Sequence, residues 1–203
     1  MKRAILLIVA TTLLMSSAAS AASFYITPRI LGGVIIHIDG TINFGDDQQF
    51  DRIASRHPSA TTLVEPNSSG GNVYSALLIG ASIWDRGLST FIANYDTCNS
   101  ACAWIWFGGR RSVIQRNAEM CFHQAYNSKT GQTSPEVSEA IVGVLKHYGL
   151  TDYQARALVN AAPPESARCA TEAWAFRLGF HPQIVPTPFA VRTCQSKFCL
   201  AVP

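Results

Sequence analysis

Hydrophobic and polar positions follow two rhythms along this chain, one with the period of a strand and one with that of a helix. Val34-Ile35-Ile36-His37-Ile38 is a β-branched apolar run stopped by Asp39-Gly40, which predicts a buried strand and then a turn. His37 alternates there with apolar neighbours and reads as a hydrogen-bonded core or edge histidine rather than a ligand. Phe50, Ile53 and Ala54 recur at helical spacing across 46–55, with Asp46 or Asp47 placed to cap that helix and His57-Pro58-Ser59 to end it. Thr61-Thr62-Leu63-Val64 predicts the next strand, and Asn67-Ser68-Ser69-Gly70-Gly71-Asn72 a strand-to-helix turn. Tyr74, Leu77, Leu78, Ala81 and Trp84 mark a helix stopped at Gly87. Leu88 to Ala93 is a third strand, 100–107 a short apolar helix closed by Gly108-Gly109, and 111–114 and 119–123 are short strands. A polar loop, 127–134, leads into helices at 135–147 and 151–160, and Thr171-Glu172 caps a last helix ended by Gly179. From Pro182 onward, prolines and cysteines predict an irregular tail. Short apolar strands alternating with helices give the fold class: α/β, a mostly parallel sheet with covering helices.

The first residues change the picture of where the chain works. Lys2 and Arg3 precede an apolar run from Ala4 to Met15, and small residues follow to Ala22 with an Ala19-Ser20-Ala21 cleavage pattern. This is the composition of a secretory signal peptide, so the expectation is a leader at 1–22, one domain at 23–181 and the tail at 182–203, in a periplasmic or secreted protein. No later stretch is long and apolar enough for a transmembrane helix. Lys and Arg number 16 against 13 Asp and Glu, and two of the basic residues lie in the leader. The near-neutral remainder has no basic patch, which argues against nucleic acid as a partner. Six cysteines, at 98, 102, 121, 169, 194 and 199, favour disulfides in an oxidising compartment. Cys194 and Cys199 close a short loop by proximity, and Cys98–Cys102 or Cys121–Cys169 are expected as further bridges.

Three places carry candidate chemistry. Gly70-Gly71 ahead of a helix frees backbone N–H groups for an anion or an oxyanion, or forms an ordinary tight turn. Ser100 follows a strand and opens an apolar helix, which suits either a nucleophile or a capping serine; the cysteines at 98 and 102 stand where a nucleophile elbow has glycines. His123 leaves an apolar strand ahead of a polar loop, and is either a structural histidine or a general base for Ser100. Cys98, Cys102, Cys121 and His123 are also a zinc-type donor set, though at an unusual spacing.

The order of these sites resembles the Clp protease proteolytic subunit and its crotonase-like superfamily, over about Val34 to Phe180. That family's Ser-Pro-Gly-Gly turn corresponds to Ser68-Ser69-Gly70-Gly71, its nucleophile to Ser100-Ala101, and its Met-Ile-His-Gln-Pro segment to Cys121-Phe122-His123-Gln124-Ala125. A closer resemblance is to exported Clp-protease-like proteins with a Cys-x-Ser-Ala-Cys segment at the nucleophile. The resemblance implies a spiral of β-β-α units, Ser100 and His123 as catalytic pair, and an oxyanion hole from Gly70, Gly71 and Ala101. Ser69 departs from the family's proline. For the third, acidic member, counting back from Glu172 points to Glu165, with Asn160 or Asp152 as alternatives in a stretch disturbed by Pro163-Pro164.

Together these readings give an exported serine hydrolase, most simply a peptidase acting on a peptide or protein, with no cofactor expected. The alternatives are a catalytically inactive binding or assembly module on the same scaffold and a structural zinc site. The chain has no obvious long handle helix like that of Clp rings, so a double ring is not expected, while a homo-oligomer stays open.

Overall fold

The structure, a computed structural model, describes residues 21–29, 32–57, 62–115, 117–171, 177–179, 184–186 and 198–202, the last two stretches as backbone. Its frame is a seven-stranded sheet in the order β1-β2-β3-β4-β5-β9-β8. The strands are Ser23–Pro28 (β1), Val34–Asp39 (β2), Thr62–Asn67 (β3), Ser89–Ile92 (β4), Ser112–Gln115 (β5), Ile184–Pro186 (β8) and Phe198–Val202 (β9). Only β1, paired with β2, is antiparallel. A mixed α/β fold with a mostly parallel sheet is what the alternation of strand and helix periods predicts. β1 had no signal, because it is an edge strand with little of its surface buried, so no apolar face selects its residues, and Pro28 blunts its end. The prolines suggested an irregular tail, but its backbone supplies β8 and β9; they pair with each other and with β5 by main-chain bonds that need no side-chain pattern. Of the last expected helix, residues 172–176 lie outside the described residues, as do residues 1–20 of the expected leader.

Ile36 and Ile38 of β2 and Val64 of β3 are fully buried, and helices cover that side. Asp46–Ala54 (α1) inserts Phe50, and Val73–Asp85 (α2) inserts Ala76, Ile79 and Ile83. Ala101–Phe107 (α3) reads Ala-Cys-Ala-Trp-Ile-Trp-Phe, and all seven side chains are buried. A helix apolar on every side has to be enclosed on every side, and α3 lies at the centre of the fold. It fits against α2 through two glycines. A Cβ on Gly108 would come within 2.3 Å of the Gly80 carbonyl oxygen, and one on Gly80 within 2.9 Å of the Trp104 carbonyl oxygen. Pro135–His147 (α4) and Asp152–Val159 (α5) complete the layer, with Thr151 and Gln154 forming a capping box on α5.

Beyond the strand ends a second tier of backbone pairing begins. Ile42 donates to the Gly70 carbonyl (2.9 Å), and its own carbonyl accepts from Asn72 (2.7 Å). Ser68 donates to Thr97 (2.6 Å), Cys98 to Glu119 (2.8 Å), and Ser100 to Cys121 (2.8 Å). Isolated parallel bridges run through the same segments, Ile42 to Gly71, Ser68 to Cys98 and Thr97 to Glu119. Each crossover thereby gains an extra extended piece before its helix, and the tier gathers residues 42, 68–71, 97–100 and 119–121.

Candidate active site

Ser100 is where the chain turns from this tier into α3. Its backbone is at φ 54, ψ −124, a region L-residues rarely occupy, and its side chain makes no capping bond to the helix. Holding a non-glycine residue there costs on the order of 1–3 kcal/mol and persists only where the surroundings impose it. Here they do. Cys98 and Cys102, both fully buried, form a disulfide across the turn with Cα atoms 5.1 Å apart. The Ser100 N–H is held by Cys121, and Cys102 and Ala103 close the first turn onto Asn99 and Ser100. A strained serine presented at a strand-to-helix turn is the geometry of a nucleophile elbow, here stapled by cysteines where the familiar motif has glycines. The capping role is excluded by the missing bond.

The Gly70-Gly71 turn lies directly against it. A Cβ on Gly70 would be 2.7 Å from Ser100 Cβ and 2.9 Å from the Asn99 carbonyl oxygen, at φ +112. Only glycine permits that approach. The Gly70 N–H is not available to a ligand, because it donates to Ser68 Oγ at 3.0 Å; of the three expected oxyanion donors this one drops out. The N–H groups of Gly71 and Ala101 have no hydrogen-bond partner among the described residues.

His123 follows Cys121–Phe122 (β6), which pairs with Arg168–Cys169 (β7) and is bridged to it by the Cys121–Cys169 disulfide. The backbone bond from Ser100 to Cys121 therefore ties the serine to a point two residues before the histidine. Imidazole Nδ1 is 2.8 Å from the Gln124 carbonyl oxygen, and the ring tilts at 50° to Tyr126, centroids 5.6 Å apart. Neither Ser100 Oγ nor His123 Nε2 has a hydrogen-bond partner among the described residues.

None of the three candidates for the acidic position is hydrogen-bonded to the imidazole. Asp152 is bound to Lys146 and Arg156, each at 2.9 Å, and these cations hold its carboxyl below the usual range. Asn160 accepts from Gln124 Nε2 at 3.3 Å. Glu165 is exposed, in the loop after α5. The zinc reading falls with the disulfides, since Cys98, Cys102 and Cys121 are oxidised. Glu119 comes near Cys121 and Cys169, but both sulfurs are spent on each other. Of the expected Cys194–Cys199 pair, Cys194 lies outside the described residues and Cys199 is described only as backbone of β9.

Two residues that the sequence did not flag organise the site. Asn99 donates to Glu119 Oε1 (2.7 Å) and accepts from the Cys121 N–H (2.6 Å), so it fastens the Ser100 turn to the histidine segment. Ser68 Oγ holds the Gly70 turn from within. An asparagine ahead of a helix and a serine ahead of glycines were visible signals, but each has many ordinary uses. A few residues upstream, Asp96 meets Glu65 of β3. Burial, then the hydrogen bond and charge of Asp96 and the charge of Asp39, push the Glu65 carboxyl up to about 8. Burial lowers the His37 imidazole. Glu65 and His37 lie 3.7 Å apart, and both shifts run against an ion pair between them.

No family model and no curated relative matches this chain. Solved structures do. ClpP1 from Listeria monocytogenes matches at 16% identity, covering 72% of this chain and 87% of its own, with a TM-score of 0.54. The 1510-N membrane protease specific for a stomatin homolog, from Pyrococcus horikoshii, matches at 16% identity over 71% of this chain and 68% of its own, TM-score 0.51. A mutant of the 1510-N membrane-bound stomatin-specific protease, in complex with a substrate peptide, matches at 17% identity over 71% of this chain and 70% of its own, TM-score 0.52. At such identities the likeness is one of fold. With its mostly parallel sheet and the added extended pieces along its crossovers, the chain has a ClpP-like fold.

Proposed function

We propose that this chain is a serine hydrolase of the peptidase type that works outside the cytoplasm. The observation that carries the reading is the strained Ser100 turn, whose hydroxyl caps nothing, set against the Gly70-Gly71 turn. Ser100 Oγ attacks a substrate carbonyl carbon, and its proton passes to His123 Nε2 as the carbonyl electrons move onto oxygen. The N–H groups of Gly71 and Ala101 are the donors for that oxyanion, a contribution of roughly 3–4 kcal/mol per donor in enzymes of this kind. His123 then protonates the leaving amine, and water releases the acyl group by the same steps. A peptide or protein substrate is supported by fold neighbours that are proteases, one of them in complex with a substrate peptide. Export is supported by the leader composition and by two disulfides. The second reading, an inactive binding module, draws on the lack of any carboxylate hydrogen-bonded to the imidazole among the described residues. A fluorophosphonate probe separates them. Labelling of the oxidised, folded protein that disappears in Ser100→Ala is expected, and folded protein that stays unlabelled would establish the inactive module.

A further inference from the structure

We infer that His123 is oriented by a main-chain carbonyl, that of Gln124, which takes the position of the carboxylate in a Ser–His–acid triad. A carbonyl oxygen can only accept a hydrogen bond. The 2.8 Å contact from His123 Nδ1 to the Gln124 carbonyl therefore places the proton on Nδ1 and leaves Nε2 with its lone pair. That is the tautomer a general base for serine needs, and the one a triad carboxylate enforces. Gln124, the residue that carries this carbonyl, is held at two other points. The Gln124 N–H donates to the Ala162 carbonyl at 2.9 Å, and its side-chain amide donates to Asn160 Oδ1 at 3.3 Å. Asn160, at the C-terminus of α5, is thus a positioning residue acting through Gln124 and not a partner of the imidazole. Asp152 is engaged by two cations and Glu165 is exposed.

A carbonyl supplies tautomer and orientation but no negative charge. In triad enzymes the wrong tautomer costs about 10⁴-fold in rate, and this arrangement avoids that part of the loss. The role in turnover rests on the Ser100–His123 reading, while the tautomer does not.

The test is ¹⁵N NMR of the oxidised full chain with labelled histidine, the pH raised until the ring is neutral, and His123→Gln used to assign the signal. The expected result is a one-bond proton coupling on Nδ1 and none on Nε2. Alongside it, Glu165→Gln and Asp152→Asn are expected to label with the fluorophosphonate within about 2-fold of the parent rate. A proton on Nε2 in a chain that labels overturns the orientation. So does a loss of 10²-fold or more in either carboxylate variant, the scale on which a triad acid acts. A proton on Nδ1 in a chain that no probe labels leaves the orientation standing and overturns the hydrolase reading alone.

Discussion

Replacing Glu65 by glutamine should flatten the dependence of stability on pH. The Glu65 side chain is 14% exposed on β3, 3.7 Å from His37, and bonded to Asp96. Its carboxyl holds a proton to about pH 8 in the fold, against an ordinary value of 4.5. Folding thus raises this pKa, so between those two values the folded chain carries a proton that the unfolded chain has lost. Stability is then highest near the unfolded value and falls as pH rises towards 8, by up to ~1.4 kcal/mol per pH unit. His37 is lowered from 6.5 by burial, so its charging lies at the acid end and leaves the upper window clean. From about pH 6.5 to 8.5 the parent should lose about 2 kcal/mol through Glu65, because the slope fades once the folded pKa is passed. Glutamine keeps the shape and a donor towards Asp96 but has no proton to release. Urea unfolding followed by tryptophan fluorescence, on oxidised protein at several pH values, measures the difference. The variant should gain about 2 kcal/mol on the parent across that window. A difference that stays flat within about 0.5 kcal/mol would refute the reasoning, since a purely steric penalty is the same at every pH.

Ser100→Gly should remove labelling by the fluorophosphonate and yet raise stability over Ser100→Ala by about 1–2 kcal/mol, because glycine relieves the φ 54 backbone and alanine does not; equal midpoints in urea would contradict the strain. Gly70→Ala should cost about 2–4 kcal/mol and abolish labelling, since its Cβ would be 2.7 Å from Ser100 Cβ; a variant that labels at the parent rate would show that the turn does not press on the serine. Under mild reductant Cys121–Cys169, with Cys169 exposed, should open before Cys98–Cys102, whose two cysteines are fully buried; mass spectrometry after alkylation gives the order. Replacing the Cys121–Cys169 pair by serines should cost about 4 kcal/mol by chain entropy, against about 2 for Cys98–Cys102, given sequence separations of 48 and 4; chemical denaturation compares the two.

Much of this fold was legible because burial writes itself into periodicity. The helix expected at 135–147 spans those residues, and Gly87 and Gly108 follow the ends of their helices as read. Where burial is one-sided or absent the signal fades. β1 is exposed along most of its length, and the apolar run of β3 broke at Glu65-Pro66 although the strand continues to Asn67. At the site, the serine, the glycines and the histidine each had an ordinary alternative, and it was their order along the chain, through its resemblance to a known family, that singled them out. The histidine's orienting group had no such signal. A backbone carbonyl belongs to every residue, and only the fold decides which one faces Nδ1. Counting back from Glu172 pointed to Glu165, with Asn160 or Asp152 as alternatives, and none of the three is hydrogen-bonded to the imidazole.

The second tier of backbone pairing bears on when the site comes into being. Its bonds join Ile42 to Gly70, Ser68 to Thr97, Asn99 to Ser68 and Ser100 to Cys121, partners separated by tens of residues. Contacts so distant along the chain form late, after the loops between them have closed. A half-folded molecule thus holds every residue of the site and none of its geometry, and the centre stays silent until the sheet is whole.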